Sequence, residues 1–147
     1  MYQKILIPLD GSERAEAILP HAIEIAQCSA GTILLLQVVE PEPLLVSPYD
    51  PLTLRESDEA IARQMSEAKA YLQAECDRLQ QLGLTAECQV EHGPVVEAIL
   101  EVADGREVDL IAMASHGRTG LARVLFGSVA TGILQKARQP LLLIRAK

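Results

Sequence analysis

The chain has 147 residues, 49% of them hydrophobic but only 3% aromatic, and carries a formal net charge of −7. That length suits a single domain over residues 1–147, around one core of Ile, Leu, Val and Ala. An acidic chain with few aromatic stacking platforms excludes nucleic acid and anionic lipid surfaces as expected partners, and an anionic ligand would need local compensation from backbone amides, a helix terminus or a metal ion.

In chain order, residues 4–9 form a short apolar run that ends at the turn cluster Asp10-Gly11-Ser12, the pattern of a buried strand. Ala15, Ile18, Leu19, Ala22, Ile25 and Ala26 follow at helical spacing, with Pro20 inside the pattern predicting a kink or a late helix start. Gly31 opens a second buried strand over 32–39. The stretch 40–57 holds Pro41, Pro43, Pro48 and Pro51 and reads as a long surface loop. Ile61, Met65, Ala68, Leu72, Cys76, Leu79 and Leu82 then mark a long amphipathic helix stopped by Gly83.

Ala86, Cys88 and Val90 alternate with Glu87, Gln89 and Glu91, which predicts an edge strand with one wet face. Gly93-Pro94 opens a short helix ending near Gly105, and 108–113 is a fourth buried run. A segment rich in Gly, Ser and Arg leads to a helix over 127–138, and Leu141 through Ile144 forms the last strand. Strands alternating with helices imply an α/β fold, a mostly parallel sheet with helices on both faces. Ligands of such sheets sit beyond the carboxyl ends of the strands, where the winding reverses.

Those ends deliver Asp10, Val38 and the segment 114–128 to one crevice. Small residues in Met113-Ala114-Ser115-His116-Gly117 permit close backbone approach. Gly127 and Ser128 fall at the start of the last helix, where unpaired amides and the positive dipole end suit an anion. Arg118 and Arg123 add positive charge, and His116 is either a phosphate donor or a solvated loop residue. An ordinary flexible loop with a serine cap is the competing reading of this segment. Asp10 could cap the first helix with Glu13 completing a capping box, or contact a ligand directly or through a divalent cation. Pro8 closes the first strand beside it. His21 and His92 are isolated from each other and read as structural.

No GxxxxGK[ST], GxGxxG or GxSxG motif is present, no CxxC pair exists, and no helix carries metal-ligand spacing. The odd cysteine count (Cys28, Cys76, Cys88), with no apolar run long enough to span a bilayer and no leader pattern, predicts a cytoplasmic protein.

Gly117, nine intervening residues, then Gly127-Ser128 resemble the signature of the universal stress protein family, with Ala114 where that family usually has its first Gly. The similarity extends to Lys4-Ile5-Leu6-Ile7-Pro8-Leu9-Asp10-Gly11-Ser12, Leu36-Gln37-Val38-Val39, His92-Gly93-Pro94, Asp109-Leu110-Ile111-Ala112-Met113 and Gln139-Pro140-Leu141-Leu142-Leu143-Ile144. The resemblance implies a doubly wound, Rossmann-like sheet of five parallel strands in the order 3-2-1-4-5. It implies ATP or AMP as ligand, with Mg2+ bound alongside the nucleotide. Pro8, Asp10 and Val38 would stand at the adenosine end, and Met113, Ala114, His116, Gly117, Arg118, Gly127, Ser128 and Val129 around the rest of the nucleotide. It further implies a homodimer paired through the last strand, and a stress-response regulator or sensor. A dimeric scaffold that binds no nucleotide is the alternative. Lacking a convincing general base, the sequence supports at most slow ATP hydrolysis.

Overall fold

Five apolar runs become strands: β1 (Lys4–Pro8), β2 (Thr32–Val39), β3 (Thr85–His92), β4 (Leu110–Ser115) and β5 (Leu141–Arg145). Between them lie α1 (Glu13–Glu16), α2 (Leu19–Ser29), α3 (Pro51–Gln81), α4 (Val95–Gly105) and α5 (Ser128–Lys136). The computed structural model describes residues 1–40, 51–115 and 127–146.

The strands form one sheet in the order β3-β2-β1-β4-β5, and every pairing is parallel. This is the doubly wound α/β arrangement and the strand order expected above. Ile5, Ile7, Ile33 and Leu35 turn to one face and pack with Leu19, Ala22, Ala26, Leu72 and Leu79 of α2 and α3. Leu6, Leu34, Leu36 and Ile111 turn to the other, against Ile99 and Val102 of α4 and Ala130 and Ile133 of α5. Two-residue alternation thus serves two cores, and the central strands need apolar residues at nearly every position.

The bottom of the sheet is pinned by polar and close-packed contacts. Asp109 Oδ2 accepts from the backbone N–H of both Gln3 and Lys4 at 2.9 Å, which aligns the starts of β1 and β4. Lys4 Nζ donates to the Arg106 carbonyl at 2.9 Å. At Gly31 the chain passes so near the first strand that an added Cβ would stand 2.5 Å from the Tyr2 carbonyl oxygen.

The interruption expected at Pro20 is present, and several element boundaries depart from the sequence reading. The first helical pattern is two helices: α1 stops at Glu16, and Pro20 sits in the first turn of α2, where it forfeits no helical hydrogen bond. Of the expected loop 40–57, residues 51–57 are the start of α3, because Pro51 suits a first helical turn and no breaker follows it; residues 41–50 lie outside the described residues. The fourth strand starts at Leu110 rather than Val108, because the end of α4 is closed by Glu107 at φ 53° and by Val108 N–H donating to the Ala103 carbonyl. The last helix ends at Lys136, since Ala137 is already extended at ψ 142°.

Gly31→Ala should therefore destabilise the fold by about 1–3 kcal/mol, the usual cost of overpacking against a fixed neighbour. Urea unfolding monitored by circular dichroism checks this. An unchanged midpoint would show that the Tyr2 carbonyl yields freely.

Candidate functional site

Because the sheet winds outward in both directions from β1 and β4, the loops leaving their carboxyl ends diverge and leave a crevice. It encloses about 810 Å3, within the range of roughly 300–1,000 Å3 typical of small-ligand sites. Pro8, Asp10, Val38, Met113, Ala114, Ser128 and Val129 all line it, as the sequence reading brought together. Gly127 is the buried N-cap of α5 and adjoins Ser128. His116, Gly117, Arg118 and Arg123 lie outside the described residues.

The α5 end is built from backbone. Gly127 supplies no side-chain cap, and the first helical hydrogen bond runs from Thr131 N–H to the Gly127 carbonyl at 3.0 Å. The amides of Ser128, Val129 and Ala130 precede that bond, and all three residues line the crevice. Such amides and the helix dipole favour negative charge. Ala114 belongs to β4 and has none of the positive φ that would penalise alanine. A strand-end alanine gives a ligand nearly the approach a glycine would.

Asp10 is not the cap of α1. Ser12 holds that position: its Oγ accepts from Ala15 N–H at 3.1 Å. Asp10 Oδ1 instead accepts from Ser12 N–H at 2.9 Å and from Ser12 Oγ at 2.5 Å. The capping box with Glu13 is therefore absent, because the αL glycine between Asp10 and Ser12, at φ 85°, moves the helix start two residues on. One oxygen of an exposed carboxylate fixes the turn while its side chain stays at the crevice edge.

Several lining residues escaped the sequence reading. Arg14 and Ala15 come from α1, Gln64, Glu67 and Tyr71 from α3, and Gln37 from β2. The α3 members recur at helical spacing beside Ala68, and that register was the available signal. Gln37 occupies an inward position of β2 on the sheet face that buries Leu35, the one polar residue of that strand after Thr32. Its Oε1 is buried with no hydrogen-bond partner among the described residues, and so is Ser115 Oγ at the end of β4. Among the described residues no three His, Cys, Asp or Glu side chains cluster to hold a metal ion. His21 and His92 are both exposed and away from the crevice lining.

Tyr71 spans the crevice wall between α3 and α1, its hydroxyl donating to Glu16 Oε1 at 2.8 Å. Burial, then the bond to Glu16, then the nearby carboxylates Glu16, Glu75 and Asp10 push its phenol well above the ordinary tyrosine range. The folded state thus holds this proton more tightly than the unfolded chain. The associated stability is complete below the unfolded value near pH 10 and is lost as pH rises beyond it. In an alkaline titration followed at 295 nm, one phenol should ionise late, and Tyr71→Phe should remove that late step and flatten the loss of stability above pH 10. A Tyr71→Phe profile that kept the late step would refute the assignment.

Comparison with known proteins accords with this architecture. A universal stress protein of Methanocaldococcus jannaschii, MJ0577, is 29% identical over an alignment covering 100% of this chain and 97% of that protein. Its solved structure superposes with a TM-score of 0.83 at 30% identity, covering 100% of this chain and 98% of that one. A universal stress protein in complex with cAMP shares the fold at a TM-score of 0.65 and 22% identity, covering 99% of this chain and 98% of that one. One from Archaeoglobus fulgidus in complex with dAMP does so at 0.61 and 20%, covering 97% of this chain and 98% of that one. The model of the universal stress protein family matches residues 1–145. The chain belongs to the universal stress protein family.

Proposed function

We propose that the crevice binds an adenine nucleotide, ATP or AMP, and that the protein acts as a nucleotide-responsive regulator or sensor in the cytoplasm. The observation that carries this reading is the convergence of an N-terminal helix turn without a side-chain cap, Ser128–Val129–Ala130, with the ends of β1, β2 and β4 around one space of nucleotide size. Phosphates would take the α5 amides and the Ser128 hydroxyl. Met113, Ala114 and Val129 would wall the ligand, with Gly127 kept small beneath it. Adenosine would lie between Pro8, Asp10 and Val38. In this reading His116, Gly117 and Arg118 complete the phosphate end. Mg2+, when present, would enter with the phosphates, reached by Asp10.

The family complexes with cAMP and dAMP support an adenine ligand for this architecture. Turnover is a secondary matter: the lining residues supply cations and amides to stabilise charge, but no side chain stands out as a base for water, so hydrolysis is expected to be slow.

The protein is also expected to pair through β5. This strand ends the sheet, and Leu141, Leu142, Leu143 and Ile144 each remain partly exposed, a surface that a second copy of the chain would cover.

Two measurements test these readings. Thermal melting with ATP or AMP should raise stability by about 2.7 kcal/mol at 100 times the dissociation constant, and Asp10→Ala should weaken binding about tenfold or more. No shift at millimolar nucleotide, together with none released on denaturing the purified protein, would leave the dimeric scaffold as the function. In sedimentation velocity the wild type should run as a dimer and Leu143→Lys as a monomer. A monomeric wild type would end the β5 pairing.

A further inference from the structure

Cys76 and Cys88 meet at the seam between α3 and β3, away from the crevice lining. Every strand of the sheet is parallel, so α3 runs back against the direction of β3. The contacts along the seam follow that direction. Gln80 Nε2 donates to the Ala86 carbonyl at 3.1 Å and the Cys76 thiol donates to the same oxygen at 3.2 Å. One turn earlier on the helix, Gln73 Oε1 accepts from the Cys88 thiol at 3.7 Å. Gln73, Cys76 and Gln80 share one side of α3, and Ala86 and Cys88 share one face of β3. The Cα–Cβ bond of a helical residue tilts towards the helix N-terminus, which carries the Cys76 sulfur from the level of Ala86 towards that of Cys88.

Two neighbouring thiols have a chemistry that neither has alone, the two-electron oxidation to a disulfide. Both are free in the structure, the resting state expected of a reducing compartment. Their burial differs, and that assigns an order of attack. Cys76 is 2% exposed, whereas Cys88 is half-buried on the rim of the same core cluster. Burial first, then the adjoining Cys88 and the carboxylate of Asp77, push the Cys76 thiol up and make it a poor first nucleophile. Cys88 stands where a small oxidant arrives from solvent.

We propose that Cys76 and Cys88 are a peroxide-reactive dithiol that closes reversibly to a disulfide across the α3–β3 seam. The Cys88 sulfur attacks one oxygen of hydrogen peroxide, the O–O bond breaks, water leaves with the thiol proton, and Cys88 becomes a sulfenic acid. The Cys76 sulfur then attacks the Cys88 sulfur. The S–S bond forms, the S–O bond breaks, and the Cys76 proton leaves with the hydroxyl as a second water. Two thiols are oxidised and one peroxide is reduced to two waters, and a thiol reductant regenerates the pair by exchange.

The exposed Cys28 is removed as Cys28→Ser, and the folded protein is treated with excess hydrogen peroxide, alkylated and digested for mass spectrometry. The expected product is an intramolecular link between Cys76 and Cys88, with both thiols lost together and both recovered in dithiothreitol. Adding Cys76→Ser should stop the reaction at a Cys88 sulfenic acid that dimedone captures. Adding Cys88→Ser instead should slow oxidation of Cys76 about tenfold or more. The linked protein should melt above the reduced one, because the bond restricts the unfolded chain while fitting the native seam. The proposal is overturned if the two sulfurs oxidise separately without a link, if the link forms only in urea, if linking lowers the melting temperature, or if Cys88→Ser leaves the rate at Cys76 unchanged.

Discussion

The crevice depends on a single topological constraint, the reversal of winding between β1 and β4. Each crossover of a parallel sheet must carry its helix over one face, and right-handed crossovers on either side of the starting strand place helices on opposite faces. At β1 and β4 the chain therefore leaves in two directions, with α1–α3 packing one face and α4–α5 the other. Among the described residues, the space between the diverging connections is bordered by residues as distant in sequence as Asp10, Val38 and Ser128. The two cores fix the strand ends, and the pinning of Gln3 and Lys4 by Asp109 fixes the register of β1 against β4 at the opposite end of the sheet.

Charge makes the backbone important to the proposed ligand. A chain of net charge −7 has Asp10, Glu40 and Glu67 at the crevice, set against Arg14 from α1. Side chains of the described part thus give a phosphate little attraction. Main-chain amides at the start of α5 carry partial positive charge that is independent of pH and costs no side-chain entropy to position. A glycine N-cap, lacking an oxygen that could fold back onto those amides, leaves them for a ligand, whereas a Ser or Asp there would compete for them. The same chain does use a serine cap at Ser12 on α1, so a side-chain cap is a device it employs elsewhere.

The strands and their order were readable because apolar runs and their helical intervals are dictated by burial on two faces. The resemblance carried in Gly127-Ser128 and the β1 sequence added the strand order that periodicity alone leaves open. Legibility failed where local rules compete. Asp10-Gly11-Ser12 holds two residues able to cap a helix, and only the αL turn at Gly11 decides that Ser12 does so. Pro51 was read as a loop residue among other prolines, although proline is equally at home in a first helical turn. At the site, the positions on strand ends were legible because topology places them there. The α3 wall, Gln64, Glu67 and Tyr71, was not, since helical periodicity reveals which side faces inward but not how far along its axis a helix meets the crevice.

Gln37 illustrates how the remaining polar residues of such a sheet can be interpreted. A buried polar group is tolerated where something satisfies it, and the protein's own groups do so for two residues of α3: Cys76, whose thiol reaches the Ala86 carbonyl at 3.2 Å, and Tyr71 through Glu16. In each of those cases the hydrogen bond ties two elements together and so contributes to the fold. The Gln37 Oε1 makes no such tie among the described residues, enclosed where Leu34, Leu35 and Leu36 precede it on the same strand. Tertiary structure accounts for the first two residues without reference to a ligand. For the Gln37 oxygen no partner stands among the described residues, so its burial adds no tie between elements there.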